Sequence, residues 1–455
     1  MRLQRWTLAG ARCAAPKWRR FLVAAVSVLT FSAVIAAATP SPAAAAAPGD
    51  LVWMQTWLPR SDFQKYPNLD VVRGPGGDLW LGVEGSTLSS ASPYQKRLCV
   101  ARYSPAGVAR WRVMLKSPVN MDMYSGLAVD RWRNAILLGS RDSRGAMIVK
   151  VSPAGRRVWT KFLPSAFEVW SHRSGVAVDS AGNIYVVGTA ARTATGDDVA
   201  VTKVSPAGAV KWTRYIDGYE GTNDWGAAIA VDAKNRIFVC GTVGGFFSGK
   251  DIMVARYSTT GGLVWKKTWD DSGGDDEAVD LAVSTSAFVI SGSAKDSALS
   301  DRKGVVLKGE SATGLMSQYV TSVVGSDLAW ESVAMNAAGD AAAGGTAQYG
   351  GPSKAGTLVW PAAGAPVATI YDPADTAACY DVAVTPTGTL VGAGIEIIGG
   401  NTELQVMSDP LVGAGWRATV GLPGLQRCQS VVVTAGGIYV AGEAGDVIAL
   451  WKFQP

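Results

Sequence analysis

The chain has 455 residues, with 42 Lys and Arg against 37 Asp and Glu and a formal net charge of +5 at neutral pH. Six basic residues and no acidic residue fall within the first 20 positions, so the remaining chain holds 36 basic and 37 acidic residues. Because the basic excess is confined to the N-terminal segment, we expect no nucleic-acid partner. The single histidine, His172, excludes metal sites and hydrolytic mechanisms that need several histidines.

Residues 1–47 have the layout of a secretory signal peptide. Basic residues precede an apolar run over residues 21–38, and small residues continue to Ala47. We expect cleavage and a secreted or extracytoplasmic location; an uncleaved membrane anchor is the alternative, because the apolar run is about long enough to span a bilayer. Arg19 and Arg20 leave a twin-arginine export route open. No later stretch combines this length with freedom from charge and glycine, so we expect no membrane span after cleavage.

An apolar pattern with turn signals recurs eight times between residues 72 and 433. The second apolar residue of the opening strand marks the register of each unit: Val72, Val129, Val178, Val231, Val283, Met335, Val384 and Val433. A period of about fifty residues, with four short strands per unit, is typical of propeller blades. The repeats follow one another without a linker, so the sequence predicts an all-β, single-domain β-propeller over residues 51–455.

The clearest unit, over residues 175–216, shows how each repeat forms a blade. Short apolar strands are predicted at 176–178, 184–188, 199–204 and 210–216. The segments 179–183 and 205–208 contain Asp, Asn, Pro and Gly, which favour tight reversals between strands. The second strand is apolar at every position, which is typical of a strand covered on both faces.

The ends of the chain are predicted to complete one blade together. The last unit supplies three strands, while residues 49–57 repeat the pattern of a fourth strand, with a Gly-x-x-x-Trp motif from Gly49 to Trp53. We therefore expect residues 51–57 to pair in the last blade and close the ring, which removes a free sheet edge. Eight blades follow; seven are left open if the weak unit at 333–370 is arranged differently.

The Gly-x-x-x-Trp motif recurs in the fourth strand of several units. It appears as Gly107–Trp111, Gly155–Trp159, Gly208–Trp212 and Gly261–Trp265. From the fifth unit onward it fades, because Gln318 and Ala368 stand at the Trp position and Trp416 is displaced by one residue. We predict that each Trp wedges between adjacent blades and buries a large area.

The repeated pattern resembles the secreted bacterial β-propeller repeats of the SBBP type. The Gly-x-x-x-Trp motif is also similar to the tryptophan-docking motif of eight-bladed pyrroloquinoline-quinone dehydrogenases and of their non-catalytic relatives. The resemblance covers nearly all of the chain after residue 47, but its motifs are structural, and fold predicts function weakly.

The quinone enzymes of that group carry two adjacent cysteines over the cofactor and a calcium ion beside an acidic base. This sequence has no adjacent cysteines, and no motif assigns the calcium ligands or the base. The resemblance therefore favours the non-catalytic relatives, and we expect no cofactor.

Histidine and cysteine offer few candidates for chemistry. His172 lies in a connection between units, where a polar loop residue is the expected role and catalysis the alternative. Cys379 and Cys428 occupy equivalent positions of neighbouring units, so a disulfide between them and a pair of free thiols are both open. Cys99 and Cys240 lie within predicted strands of different units, where we expect buried free thiols.

Residues 270–277 form the most acidic connection of the chain. Clustered carboxylates and glycines could bind calcium through oxygen ligands. Their spacing matches no defined calcium loop, so we expect a solvated acidic loop and no metal site.

The connections on the two predicted faces of the ring differ in character. The turns after the first and third strands are short and alike, whereas those after the second strand and between blades vary. Aromatic residues precede the first strand of four units, and acidic residues stand beside them: Tyr124, Trp170, Trp225, Trp330, Asp224, Asp275, Asp276 and Glu331. Two arrangements are open, in which the aromatics form a binding rim or tuck inward to cap the blades.

These observations predict a non-enzymatic binding or scaffold protein outside the cytoplasm. We expect a monomer whose partner is a protein or a cell-envelope polysaccharide. The alternative is a propeller enzyme, such as a quinone-dependent oxidoreductase.

Overall fold

A computed structural model describes most of the chain from residue 47 to residue 455. The described residues are 47–57, 63–89, 92–115, 121–141, 145–164, 167–169, 175–219, 221–245, 249–271, 273–295, 302–321, 326–349, 352–370, 376–409, 415–421, 426–445 and 447–455. The predicted signal peptide, apart from Ala47, lies outside these residues, as do Trp170 and His172.

In the described residues, 33 strands form eight antiparallel sheets, which are numbered here as blades 1 to 8. Blade 1 contains β2 (Phe63–Arg73), β3 (Leu79–Ser89), β4 (Ser92–Tyr103) and β5 (Ala109–Leu115). Blade 2 contains β6 (Met121–Val129), β7 (Ala135–Arg141), β8 (Ala146–Val151) and β9 (Arg157–Phe162). Blade 3 contains β10 (Phe167–Glu168) and β11 (Val176–Val178), both paired with β12 (Ile184–Arg192), then β13 (Gly196–Val204) and β14 (Val210–Ile216). Blade 4 contains β15 (Trp225–Val231), β16 (Ile237–Gly244), β17 (Lys250–Tyr257) and β18 (Leu263–Trp269).

The remaining four blades follow the same order along the chain. Blade 5 contains β19 (Asp276–Val283), β20 (Ala287–Lys295), β21 (Arg302–Glu310) and β22 (Met316–Thr321). Blade 6 contains β23 (Ser326–Met335), β24 (Ala341–Tyr349), β25 (Lys354–Trp360) and β26 (Val367–Ile370). Blade 7 contains β27 (Ala377–Val384), β28 (Leu390–Ile398), β29 (Asn401–Asp409) and β30 (Trp416–Val420). Blade 8 contains β31 (Gln426–Thr434), β32 (Gly437–Ala444), β33 (Val447–Phe453) and, at its outer edge, β1 (Leu51–Trp57).

The first strands of successive blades form a closed ring. Each one contacts the first strand of the next blade, in the order β2, β6, β11, β15, β19, β23, β27, β31 and again β2. The eight sheets and this closed series confirm the predicted eight-bladed propeller, including the sixth unit that left seven blades open.

The N-terminal strand closes the last blade as predicted. β1 pairs antiparallel with β33, with Met54 opposite Trp451 and Trp57 opposite Ile448. Trp57 and Ile448 are both buried at the seam between blades 8 and 1, in a cluster that also contains Leu69 of blade 1. The pairing therefore supplies an edge strand and part of the apolar core where the two ends of the ring meet.

The apolar core lies between the blades. Val187 and Ile216 of blade 3 pack with Ile229, Val239 and Met253 of blade 4 in one buried cluster. Equivalent clusters fill other junctions, such as that between blades 1 and 2. A second strand such as β12 is buried along most of its length because neighbouring blades cover both of its faces, which explains its unbroken apolar sequence.

The recurring tryptophans dock on glycines of the following blade. A methyl group on Gly155 of blade 2 would lie 2.9 Å from Trp111 of blade 1, and Trp111 Nε1 donates a hydrogen bond to the carbonyl oxygen of Pro153 at 2.7 Å. The same contact recurs around much of the ring, in the pairs Trp53–Gly107, Trp159–Gly208, Trp212–Gly261, Trp265–Gly314 and Trp416–Gly49. A positive φ at these glycines, +77° at Gly155, holds the turn against the indole ring and disfavours any larger residue. The predicted inter-blade role of these residues is confirmed.

Deletion of residues 51–57 should lower the thermal unfolding midpoint of the whole domain. The deletion removes the partner of β33, exposes a sheet edge and uncovers the seam between blades 8 and 1. Calorimetry of the full and truncated chains measures the effect. An unchanged unfolding midpoint would contradict closure by β1.

Substitution Trp111→Ala should lower the free energy of unfolding by about 3 kcal/mol, because it removes an indole packed against Gly155 and against Trp80. Val108→Ala is the matched control, since Val108 is 59% exposed and lies three residues before Trp111, directly before β5. Chemical denaturation of both variants tests the prediction. Equal stability of the two variants would show that the docked indole does not stabilise the ring.

Candidate functional site

Two of the four predicted rim aromatics are buried between blades. The Tyr124 hydroxyl donates a hydrogen bond to Asp70 Oδ2 at 2.8 Å, and its backbone N–H donates to Glu84 Oε2 at 2.7 Å. Trp330 is also fully buried and packs so closely on Gly304 that a methyl group there would meet Nε1 at 2.6 Å. For Tyr124 and Trp330 the structure has the inward arrangement, so neither ring is available at the surface.

The other candidates lie in two places. Glu331 is the half-buried extra residue of a β-bulge that follows Trp330 in β23. Trp225 is half-buried at the start of β15, and the ammonium group of Lys250 lies 3.1 Å from its ring centroid. The backbone of Lys250 also forms an isolated parallel β-bridge with the backbone of the exposed Asp275. The structure therefore brings Trp225 and Asp275 into one region around Lys250. Trp170 lies outside the described residues, and its place on the rim stays a prediction.

The densest group of carboxylates in this region lies between blades 3 and 4. Asp198 belongs to β13, Asp217 directly follows β14, and Asp224 directly precedes β15. In an antiparallel blade the start of the third strand, the end of the fourth and the start of the next first strand meet at the same end of the sheet. One oxygen of each carboxylate consequently lies within 4.8 Å of one oxygen of each of the other two.

Asp224 links the connections on both sides of this junction. Its Oδ2 accepts a hydrogen bond from the N–H of Gly218 at 2.7 Å, and its Oδ1 accepts one from the N–H of Gly244 at 2.8 Å. Its own N–H donates to the carbonyl oxygen of Asp197 at 2.6 Å. A single buried side chain thus joins the end of β14 to the end of β16.

Asp198 and Asp217 each carry a buried carboxylate oxygen, Oδ1 in both cases, with no hydrogen-bond partner. Asp198 is only 2% exposed. Its Oδ2 lies 3.5 Å from Nε of Arg192, whose guanidinium group lies over the ring of Tyr215. Buried polar atoms in proteins are nearly always hydrogen-bonded, so two bare carboxylate oxygens in one cluster need a physical reason.

The arrangement recurs one blade further on. Asp251, Asp270 and Asp276 occupy the equivalent positions of blades 4 and 5, 53, 53 and 52 residues after Asp198, Asp217 and Asp224. Asp276 Oδ2 accepts a hydrogen bond from the N–H of Asp271 at 2.8 Å, just as Asp224 accepts one from Gly218. In this second junction Lys303 Nζ lies 2.7 Å from Asp271 Oδ2 and introduces a positive charge. The acidic sector is defined as these residues of both junctions together: Asp198, Asp217, Asp224, Asp251, Asp270, Asp271, Asp275 and Asp276.

Sequence reasoning named Asp224, Asp275 and Asp276 but missed the carboxylates that face them. The signal that could have found Asp198 and Asp251 is their shared position at the start of the third strand. Two successive units carry Asp there, whereas Lys303 holds the position in blade 5. An acidic residue after the fourth strand, such as Asp217, completes the pattern.

Burial raises the pKa values of four carboxyls in this sector, those of Asp198, Asp224, Asp251 and Asp276. It raises the pKa of Asp224 to about 6; the N–H groups of Gly244 and Gly218 lower this value, and the carboxylates of Asp217 and Asp198 raise it. Burial likewise raises the pKa of Asp276 to about 7, with the carboxylates of the second junction adding to the effect. The pKa of Asp198 is raised by burial too. Ionisation of these buried carboxyls at neutral pH therefore costs free energy unless a nearby positive charge offsets it.

The raised pKa of Asp276 predicts that stability falls as pH rises. Its carboxyl titrates near pH 7 in the folded chain and near about 3.9 when unfolded, so the folded state binds the proton more tightly between these values. In the presence of a chelator, the free energy of unfolding should decrease by up to about 4 kcal/mol from pH 4 to pH 7 through this group. Asp276→Asn should flatten that decrease, because Asn keeps an acceptor for the Asp271 N–H without the charge.

Denaturation curves at pH 4.5 and 7.5 measure this dependence. Asp275→Asn is the matched control, since Asp275 is the exposed neighbour of Asp276. If the free energy of unfolding falls equally in the wild type, Asp276→Asn and Asp275→Asn over this range, the raised pKa of Asp276 does not account for the pH dependence.

The structure has no disulfide between Cys379 and Cys428, and both cysteines are buried. They lie opposite Gly394 and Gly442 at equivalent places of blades 7 and 8. Cys99 and Cys240 are also buried free thiols, as predicted, and burial raises the pKa of both. None of these four cysteines belongs to the acidic sector.

A cavity lies between blades 5 and 6, where the fourth strand of blade 5 has Gln318 at the Trp position of the motif. It has a volume of about 610 Å³ and is lined by Lys308, Leu315, Met316 and Trp360 among others. The Lys308 ammonium group donates hydrogen bonds to the carbonyl oxygens of Trp360 and Pro361. Its charge is therefore used within the fold.

The chain matches no protein-family model and no curated protein. Solved structures similar to it include the polysaccharide lyase Uly1, at 10% identity over 89% of this chain and 99% of that one, with a TM-score of 0.49. Saccharomyces cerevisiae Sqt1 is similar at 12% identity over 86% of this chain and 97% of that one, with a TM-score of 0.49. The β-propeller domain of the Trilobed protease from Pyrococcus furiosus is similar at 9% identity over 77% of this chain and 96% of that one, with a TM-score of 0.44. Similarities at this level carry no information about activity.

Among the described residues, there is no helix with the length and apolar character needed to cross a membrane.

Proposed function

We propose that the protein is an extracytoplasmic, non-enzymatic binding or scaffold propeller that acts as a monomer. The basic and apolar segment at residues 1–47 supports export. The acidic sector is its proposed recognition surface, and a basic segment of another protein is its proposed partner. The observation that carries this proposal is that the two faces of the ring differ in how their polar side chains are used.

On one face, polar side chains find their partners inside tight turns. Asp179 Oδ1 accepts hydrogen bonds from the N–H groups of Ala181 and Asn183, and Asp232 accepts equivalent ones in the next blade. Ser205 Oγ accepts the N–H of Ala209 in the turn after a third strand. These side chains stabilise turns that every blade needs, so their repetition follows from the fold.

On the opposite face, carboxylates accumulate in one sector beyond what the turns use. Asp275 and Asp270 are exposed, and Asp217 is half-buried with an unpartnered oxygen. Their negative charge is concentrated over blades 3 to 5, whereas the chain after residue 47 is close to neutral. A localised charge of one sign attracts and orients a partner of the opposite sign. Lys250 covers the Trp225 ring, which makes a stacked sugar less favourable there than a basic peptide.

Removal of two exposed carboxylates should weaken capture of the partner by about tenfold, or ~1.4 kcal/mol. The variant is Asp270→Asn with Asp275→Asn, and the bait is the immobilised chain without residues 1–47. A cell-envelope extract of the producing organism is applied, and bound proteins are eluted with increasing salt and quantified by mass spectrometry. We expect a basic protein that elutes at lower salt from the variant than from the wild type.

Glu310→Gln is the control, because Glu310 is an exposed acidic residue beside a turn after a third strand, on the opposite face. Equal salt elution from the wild type and the double variant would exclude the acidic sector as the principal site. Dye-linked dehydrogenase activity after addition of pyrroloquinoline quinone and calcium would replace the binding proposal by the enzyme alternative.

A further inference from the structure

The carboxylates of Asp198, Asp217 and Asp224 form a pocket with the donor set of a hard metal ion. Asp198 lies in β13 of blade 3, Asp217 and Asp224 lie at the two ends of the connection between β14 and β15, and one oxygen of each lies within 4.8 Å of the others. Ca²⁺–oxygen bonds measure about 2.3–2.6 Å, so two ligands on opposite sides of one ion lie up to about 5 Å apart. Oxygens within 4.8 Å of one another are therefore close enough to bind one calcium ion together.

A second observation, independent of the clustering, points to a ligand. Asp198 is 2% exposed, and its Oδ1 has no well-aligned hydrogen-bond partner, although the Thr195 hydroxyl lies near this carboxylate. Oδ1 of the half-buried Asp217 also has no hydrogen-bond partner. Each oxygen of Asp224 accepts one backbone hydrogen bond, which leaves a second lone pair on each. The pocket therefore offers acceptor capacity from all three residues that the protein itself does not use.

The charges of the pocket also favour a cation. Three carboxylates whose oxygens lie within 4.8 Å of one another repel when they are ionised, and burial reduces the screening of this repulsion by water. Arg192 supplies one positive charge, at 3.5 Å from Asp198 Oδ2, and its side chain is 43% exposed. One partly solvated guanidinium group offsets only part of the repulsion among three carboxylates.

The equivalent pocket of blades 4 and 5 provides a comparison inside the same chain. There the ammonium group of Lys303 lies 2.7 Å from Asp271 Oδ2, so a protein cation enters the acidic group. In the first pocket Gly218 stands at the position of Asp271. The two pockets share a backbone arrangement but differ in how positive charge is supplied.

We propose that Asp198, Asp217 and Asp224 bind one calcium ion at the junction of blades 3 and 4. Oxygen-only ligands favour Ca²⁺ over Zn²⁺, which prefers nitrogen and sulfur. Mg²⁺ keeps several of its waters and is usually bound through one or two carboxylates, so three converging carboxylates favour Ca²⁺. Water completes the coordination beside the half-buried Asp217. The ion joins the third strand of blade 3 to the first strand of blade 4 and stabilises their junction.

Isothermal titration calorimetry of the chelator-treated full chain with calcium chloride at pH 7.5 tests the proposal. We expect one saturable site in the wild type and a rise of several degrees in the thermal unfolding midpoint with 2 mM calcium. Asp198→Asn and Asp217→Asn should each weaken binding by at least 100-fold and abolish the rise. Without calcium both variants should unfold at or above the wild-type temperature, because each removes repulsion, so loss of binding cannot be attributed to loss of the fold.

Asp251→Asn is the matched control at the equivalent position of the next blade, and it should bind calcium as the wild type does. The absence of saturable calcium binding in the wild type would overturn the proposal. Binding that survives Asp198→Asn, or that is lost in Asp251→Asn, would also overturn it. Separate titrations with magnesium chloride and zinc chloride should give weaker binding; tighter binding of either ion would refute the assignment of calcium.

Discussion

Every blade of this protein is apolar on both faces, and the architecture depends on covering both. Ile184 and Val186 in blade 3 face blade 2, while Tyr185 and Val187 face blade 4, and all four are buried. A sheet of this kind cannot end in solvent, because its outer face would expose a full layer of apolar side chains. A closed ring gives each blade two neighbours. Closure through β1 is a direct consequence of this requirement, since the chain's own first strand completes the blade that meets blade 1.

The docked tryptophans determine which face of the ring can vary. Each indole packs against a turn after the third strand of the next blade, and its N–H can bond to a carbonyl oxygen there, as Trp111 does with Pro153. That contact needs a glycine with positive φ and a turn of one shape, so these turns repeat. The opposite face carries no such requirement. Changes in the connections of this face leave the inter-blade contacts intact. The acidic sector lies on this face.

The acidic sector shows how one repeated position acquires different chemistry. In both junctions a buried Asp caps backbone N–H groups after the fourth strand, which is a structural role. The surrounding carboxylates then turn the cap into a pocket of negative charge. A lysine enters the second pocket, where Oδ1 of Asp276 has no hydrogen-bond partner, whereas the first pocket has Arg192 at its edge and two such oxygens, on Asp198 and Asp217. The same geometry therefore leads to an internal ion pair in one junction and to a proposed calcium site in the other.

The repeat, the number of blades and the closing strand were all predictable from the sequence. The period of the apolar pattern and the Gly-x-x-x-Trp motif are local features, and each unit carries enough of them to specify four strands. The direction of individual side chains was not predictable in this way. Tyr124, Trp330, Cys379 and Cys428 hold equivalent positions in the first strands of their blades. Whether a residue at this position faces solvent or a neighbouring blade depends on the packing of two separate units.

The composition of the pockets was likewise decided by tertiary structure. Asp198 lies in β13, whereas Asp224 lies 26 positions further along, in the connection after β14 that also contains Asp217. No spacing along the sequence relates three such residues, because their oxygens meet only when blade 3 is formed and blade 4 packs against it. The sequence by itself determined the ring, since its repeat acts within each blade. The site lies between blades, and only the assembled ring brings its residues together.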